Sequence, residues 1–571
     1  MSWLNSLPLF TAGRQAWRAG YGAHALRGDI LSGLTVGIIA IPLAMALAIA
    51  IGAPPQYGLY TVLIAAPLIA LTGGSRFNIS GPTAAFVVIL LPIVQQHGLS
   101  GLLICTMLAG LMLIALGLIR AGRLIQFVPY PVTLGFTAGI GVVIAGLQLK
   151  DVFGLTVTAS ATHFPEQMLN LVAAFPTAHA ADALVAAATL GTLILWPKLV
   201  PRVPGHLAAL AVGTSLAMGL ESFGWGVATL GERFSYTIDG VTHAGIPPYL
   251  PEFALPWNLP GAEGLSFALI RELLAPAMAI AMLGAIESLL CAVVADGMKN
   301  TKHDPNGELI GQGIGNLIAP LFGGITATAA IARTAASVRA GAFSPLAAII
   351  HAGVVLVAVL VLAPLFSYLP MAALAALLLM VAWNMAEVPH VVHTLRIAPR
   401  SDVLVLLVCL VLTVVFDMVL AVGAGLLLAA GLFIRQMSRL TDTEPLPSAQ
   451  LNELPPQVAA YAIRGPLFFG AAEKALEALR RFTPNVKVVI VDMRAVPLLD
   501  MTAIAALETV LRDYRQNGVA LIFSGTRSKV RLQLRRAGIH QHQQQLAYVA
   551  TLEQARAKAN RWLEETEVTS L

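Results

Sequence analysis

The chain has 571 residues, of which only 11% are charged, with a formal net charge of +5 and a mean hydropathy of +0.78. Soluble globular domains carry about 25% charged residues, so these values exclude a soluble protein with a large core and point to a polytopic membrane protein. The basic residues lie between apolar runs, which argues against nucleic acid as a partner.

In chain order, residues 1–27 read as an interfacial segment on the cytoplasmic face, with Trp3, Trp17 and Tyr21 among Arg14, Arg18 and Arg27. No basic stretch precedes the apolar run from Trp3 to Phe10, unlike a cleavable signal. Residues 28–436 form the transmembrane region and hold about fourteen hydrophobic segments. They begin near Asp29, Tyr57, Pro82, Ser100, Pro131, Asp182 and Pro204, then near Ser266, Asn306, Ala329, Pro345, Pro370, Asp402 and Met418. Basic residues follow the even-numbered segments: Arg120 and Arg123, Lys198 and Arg202, Lys299 and Lys302, Arg339, Arg396 and Arg400, Arg435 and Arg439. The long loops near 152–180 and 223–262 are almost free of them, so both termini are expected in the cytoplasm. Residues 437–456 are polar and proline-bearing and read as a linker. Residues 457–571 alternate short strands, such as Val486–Met493 and Val519–Ser524, with amphipathic helices such as 501–516, and read as a small α/β domain.

Two apolar stretches are interrupted alike. Gly73 and Gly74 open the first, which runs through Ser80-Gly81-Pro82-Thr83 before an apolar run from Ala84. Gly323 and Gly324 open the second, which runs through Ile325-Thr326-Ala327-Thr328-Ala329-Ala330 to Arg333. Lipid tolerates non-helical backbone only where protein or a water-filled cavity covers it, and matched interrupted spans mark a transporter's binding site. Seven spans per half is an odd number, so the halves, about 28–222 and 266–436, must be inverted. The two half-helices then begin near mid-membrane with their N-termini facing, and unpaired N–H groups there suit an anion. The glycine clusters Gly135 and Gly139, and Gly311, Gly313 and Gly315, sit in apolar helices and read as close packing rather than phosphate loops.

Ala53-Pro54-Pro55-Gln56-Tyr57-Gly58-Leu59-Tyr60, Ser80-Gly81-Pro82-Thr83 and Gly284-Ala285-Ile286-Glu287-Ser288-Leu289-Leu290 resemble the SulP anion permeases, the family of the animal sulfate and chloride exchangers and prestin. The C-terminal part resembles their STAS domain. Thr35 to Leu47 and Ile325 to Arg333 look like the C4-dicarboxylate branch of the family. The resemblance implies an α-helical polytopic membrane protein with fourteen spans in two inverted seven-span repeats, divided into core and gate domains. It also implies an anion site between spans three and ten, and a homodimer.

The expected substrate-binding residues are Ser80, Gly81, Pro82, Thr83 and Ala84 on the first break, and Thr326, Ala327, Thr328, Ala329 and Arg333 on the second. A basic residue within a span is costly and usually functional, and a guanidinium fork suits a carboxylate; the competing reading is an arginine that snorkels to the headgroups. Glu287 lies inside the apolar run Ala277–Val294. An unpaired carboxylate there must take up a proton, bind a cation or be locked to a neighbouring helix. The matching acid in relatives supports ion coupling, and Cys291, one turn later, is a poor sodium ligand, which favours protons over sodium. The hydroxyls of Ser80, Thr83, Thr326 and Thr328 cap the half-helices, donate to substrate, or do both. Thr83 stands where animal members carry an aromatic, leaving room for a larger solute, and Leu43 stands where several relatives have Gln. Arg76 suits a structural or gating role as well as substrate contact, and Glu308 and Asn316 are candidates to pair with other helices. In the C-terminal domain the loop Leu499-Asp500-Met501-Thr502 has Met at the position phosphorylated in anti-sigma antagonists, with Thr502 a weak substitute, so a phosphoswitch is unsupported and dimerisation or regulatory docking is the expected role.

These features lead to a secondary active transporter in a bacterial inner membrane, importing C4-dicarboxylates such as succinate, fumarate or aspartate with protons, by alternating access. Sulfate, bicarbonate or chloride is the alternative solute, and an anion channel or charge-displacing motor the alternative class. No catalytic motif appears in the right context; no enzyme activity, metal or cofactor is expected. The cysteines Cys105, Cys291 and Cys409 form neither a disulfide framework nor a metal spacing.

Overall fold

The computed structural model describes residues 9–123, 128–157, 161, 163–200, 204–238, 241–262, 264–416, 418–439, 441–446, 454–469, 471–480, 485–542 and 544–569. Trp3, Arg202 and residues 447–453 of the expected linker lie outside them. The chain forms two compact units that divide between Leu426 and Leu427.

The first unit opens with α1 (Thr11–Arg18), α2 (Ala23–Ala50) and α3 (Pro55–Thr72), followed by an extended stretch with a two-residue strand, β1 (Ser80–Gly81). A helical turn at Ala84–Phe86 leads into α4 (Val87–Leu118), which breaks at Gly98, where φ is 66°. Then come α5 (Tyr130–Val152), α6 (Phe164–Ala174), α7 (Ala180–Leu199), α8 (Gly205–Ser222), α9 (Leu230–Arg233) and the hairpin β2 (Ser235–Ile238) and β3 (Val241–Ala244). The second half holds α10 (Phe267–Lys299), α11 (Pro305–Ile318), β4 (Thr328–Ala329), α12 (Ile331–Arg339), α13 (Leu346–Phe366), α14 (Met371–Ala386), α15 (Val388–Ile397), α16 (Arg400–Val415) and α17 (Met418–Arg439). Among the described residues, setting aside the short helices α1, α6, α9 and α15 and counting α4 as two, each half contributes seven helical segments. Nine helical stretches among the described residues are long and apolar enough to cross a bilayer alone; α8, α11, α12 and α16 are not among them, and α11 and α12 are only 14 and 9 residues long.

Local sequence sets the helix starts. Asp304 caps α11, its Oδ1 accepting from the Asn306 and Gly307 N–H groups at 3.1 and 3.2 Å, with Pro305 in the first helical position. Ser266 caps α10 by accepting from Leu269 N–H at 3.1 Å. Helix α1 docks its backbone on the end of α3 through Phe10 N–H to Thr72 O and Ala12 N–H to Gly73 O, while Trp17 remains exposed.

The glycine clusters are packing surfaces, as expected. A Cβ on Gly139 would stand 2.7 Å from Thr413 Cβ, and one on Gly313 2.6 Å from Gly110 O. The backbones of α5 and α16, and of α11 and α4, therefore approach as closely as small residues permit. By packing, the helices sort into two groups. One joins α2, α3, α4 and α10–α13; the other joins α5, α7, α8, α14 and α16.

The second unit is an α/β domain. Its strands β5 (Asp442–Pro445), β6 (Val458–Arg464), β7 (Val488–Ala495), β8 (Ala520–Ser524) and β9 (Leu546–Val549) form one sheet in that spatial order, and its helices are α18 (Ala472–Arg480), α19 (Met501–Gln516), α20 (Ser528–Arg536) and α21 (Leu552–Thr569). Only β5 is antiparallel to its neighbour. The β5 strand lies inside the stretch read as linker: Asp442–Pro445 pairs with Tyr461–Arg464, a backbone partnership that polar composition does not reveal. The run of β7 is apolar without alternation because both faces are covered. Val489, Val491 and Met493 join one core, and Val488 and Ile490 join another under Ala555, Ala559 and Trp562. Asp500 caps α19, accepting from Ala503 N–H at 2.8 Å and from Phe469 N–H at 2.7 Å. Met501 is 74% exposed beside it.

Candidate functional site

The two breaks meet. β1 and β4 pair antiparallel, Ser80 opposite Ala329 and Gly81 opposite Thr328, and the Ala330 N–H continues the ladder to Ile79 O at 3.0 Å. Antiparallel pairing of equivalent segments is what inverted halves produce. Each strand leads within three residues into a helix, at Ala84 on one side and Ile331 on the other.

Arg333 lies in the first turn of α12 and is 5% exposed. Its Nη2 donates to Pro82 O at 2.7 Å, so the guanidinium of the second break reaches into the first. It packs over Gly81, where a Cβ would stand 2.7 Å from Nη1. No carboxylate among the described residues pairs with it within ion-pair distance. Its burial against Pro82 excludes the reading in which it snorkels to the headgroups.

Thr83 precedes the first half-helix and Ala330 the second, and neither caps it with a side chain. The Thr83 hydroxyl donates instead to Glu287 Oε2 at 3.1 Å. Ser80 Oγ accepts from Gln312 Nε2 at 3.1 Å, Thr326 Oγ1 bonds Thr106 Oγ1 at 2.7 Å, and Thr328 Oγ1 donates to Gly284 O at 3.2 Å. The capping expectation for these four hydroxyls therefore fails. The reason is that neighbouring helices α4, α10 and α11 offer partners on the sides of the strands, away from the helix axes. The N–H groups that open both half-helices remain without side-chain caps, which is the arrangement that receives an anion.

Two acids flank the breaks and are bonded very differently. Glu287 on α10 is half-buried and takes one hydroxyl, that of Thr83. Glu308 on α11 is 1% exposed and accepts four bonds: from the Gly74 and Ser75 N–H groups at 3.1 and 2.9 Å, from Asn78 Nδ2 at 2.7 Å and from Gln312 Nε2 at 3.1 Å. The helix lock considered for Glu287 is performed by Glu308. Asn316, two turns further along α11, holds the second break by accepting from Ala327 N–H and donating to Ala327 O, both at 2.8 Å. Gln312 sits midway between them. The stripe at 308, 312 and 316 has i, i+4 spacing in the sequence, which would have identified Gln312 as the missing member. Thr334 was also missed: its Oγ1 accepts from Ile79 N–H at 3.0 Å and from Cys291 Sγ at 3.1 Å. Arg76 is a structural clasp, donating from Nε and Nη2 to Phe343 O at 3.1 and 2.7 Å and stacking on the Phe343 ring.

The sequence profile of the sulfate permease family matches residues 26–409. This chain belongs to the sulfate permease family. The STAS domain profile matches residues 451–559, so the second unit of this permease is a STAS domain. A Bacillus subtilis protein named putative sulfate transporter YvdB is 41% identical over 527 residues, covering 91% of this chain and 95% of its own. A Synechocystis protein named bicarbonate transporter BicA is 31% identical over 534 residues, covering 89% and 90%. The solved structure of SLC26A9 superposes with a TM-score of 0.82 at 18% identity, covering 96% of this chain and 93% of that one, which shows the fold. The permease is thus a multi-pass membrane anion transporter.

Proposed function

We propose that this permease is a secondary active transporter that carries C4-dicarboxylates such as succinate together with protons, by movement of the α2–α4 and α10–α13 group against the α5, α7, α8, α14 and α16 group. The observation that carries this reading is the buried Arg333, with no acid partner among the described residues, beside two helix starts that lack side-chain caps. One carboxylate of the substrate takes the guanidinium fork and the free N–H groups. Small Thr83 leaves room for the remainder of the molecule. Glu287 carries the coupling proton, and its bond to Thr83 links that proton to the substrate-facing break. The setting is a bacterial inner membrane with cytoplasmic termini, as a homodimer.

A second reading keeps the site and changes the solute. The relatives named as sulfate and bicarbonate transporters favour an inorganic oxyanion, which suits the same donors. Uptake of labelled succinate, sulfate, bicarbonate and chloride into proteoliposomes, with and without an imposed pH gradient, separates the two. Saturable succinate uptake that sulfate does not displace supports the first; sulfate uptake untouched by succinate removes it.

A further inference from the structure

A cavity of about 380 Å³ lies apart from the paired breaks, where the C-terminal end of α2 and the first span of α4 meet α5 and α6. Its walls come from both helix groups, so it lies on the seam along which they would move. On the proposed orientation it opens on the outer face.

The lining has a definite chemistry. Gln148 on α5 is 5% exposed, lines the cavity and has no hydrogen-bond partner among the described residues. A carboxamide in that position is costly unless water or a ligand takes its donors. Two residues on, Lys150 lines the same cavity and has no acid within ion-pair distance among the described residues. Gln95 faces it from the first span of α4, and Gln167 is held in place by donating from Nε2 to Ala161 O at 2.8 Å. Arg233 enters from α9, anchored to Asp151 at 2.5 Å. Two cations against one carboxylate, with amide donors between them, make a positive, polar chamber. Such a chamber concentrates anions by its field and holds them loosely, since its donors reach partial exposure and are screened.

We propose that this cavity is an outer vestibule that binds a small oxyanion, a carboxylate or sulfate, through Lys150, Gln148 and Gln95 before it passes to the paired breaks. This rests on the proposed transport function for its direction, while the binding itself does not. An anion in the chamber competes with Asp151 for Arg233, so its arrival loosens the tie between α5 and α9.

The test uses single cysteines at Gln148→Cys and, separately, Gln95→Cys, in the full-length protein in proteoliposomes; the native cysteines are buried. An anionic methanethiosulfonate and its cationic counterpart are applied from outside. The anionic reagent is expected to react about tenfold faster, and external succinate or sulfate to slow it. Lys150→Gln in the same background is expected to equalise the two reagents. Equal rates at both positions, no reaction at either, or a preference unchanged by Lys150→Gln overturns the vestibule. The preference is measured again with Arg333→Ala. A preference that survives there while uptake of every tested anion is absent in the wild type sinks the transport reading and keeps the vestibule. Protection by sulfate but not succinate assigns the vestibule to the inorganic anion, and the converse to the carboxylate.

Discussion

The two breaks share one strand pair but are held by different chemistry. The first is pinned by a charged group: Glu308 gathers two backbone N–H groups and two carboxamides. The second is held by neutral partners, with Asn316 bracketing Ala327 and the Thr61 hydroxyl taking the Ile325 N–H at 2.7 Å. Conversely, the first break brings the Pro82 carbonyl, the Thr83 hydroxyl and an uncapped helix start but no cationic side chain to the strand pair, whereas the second brings Arg333. Both charges come from the second half of the chain and are kept apart: Glu308 on α11 is spent on scaffolding the first break, and Arg333 on α12 has no acid within ion-pair distance among the described residues. Had both charges stood at the strand pair, they would have neutralised one another and left nothing to bind an anion.

The largest expected effect breaks the second half of that comparison. Arg333→Ala removes the one fixed charge at the strand pair, and uptake of the transported anion should fall by at least about 100-fold, with the protein still inserted and monodisperse. Arg333→Lys should not restore it, because a point charge lacks the planar fork that reaches both Pro82 O and a carboxylate. Uptake at ordinary affinity in Arg333→Ala would remove the assignment.

Breaking the first half should act on stability instead. Glu308→Leu leaves the Gly74 and Ser75 N–H groups unpaired in a buried setting and takes one of two bonds from each of the Asn78 and Gln312 carboxamides, at an expected loss of about 3 kcal/mol or more, read as a lowered thermal midpoint in detergent. Asn316→Ala, which removes neutral bonds, should lose about half as much. Equal losses would mean that the two breaks are held alike.

Much of this was legible before any coordinates. The hydropathy runs, the positive-inside pattern and the paired Gly-Gly interruptions place fourteen segments, because apolar length and basic flanks are the constraints a bilayer imposes on sequence. Arg333 and Glu287 stood out because charge inside a span is rare. What the sequence withheld is partnership across long separations. Nothing near Thr326 announces Thr106, and nothing near Gly74 announces Glu308, 234 residues away. Capping was one reading of the hydroxyls because capping is local; their partners are on other helices. The edge strand Asp442–Pro445 escaped for the same reason.

A smaller expected effect sharpens the contrast between the two acids. Glu287→Gln keeps the size and the bond to Thr83 but cannot exchange a proton. Substrate uptake should lose its response to an imposed pH gradient, with the unfolding free energy unchanged within about 1 kcal/mol. Retained acceleration by an inward proton gradient would assign coupling elsewhere; a large loss of stability would make Glu287 a second lock like Glu308.

The smallest expected effect lies in the STAS domain, where a carboxylate also serves as scaffold. Asp500 ties the start of α19 to Phe469 through two backbone N–H groups, one of them in the adjoining loop. Asp500→Ala should cost about 1–2 kcal/mol, measurable as a shifted unfolding midpoint. The strength of substrate binding at the strand pair should not move, because the domain's two cores are built from its own strands and helices. A changed half-saturation for uptake in Asp500→Ala would mean that the cap region communicates with the transport unit. That outcome would turn an exposed Met501, which offers no phosphate acceptor, into a docking residue rather than a bystander.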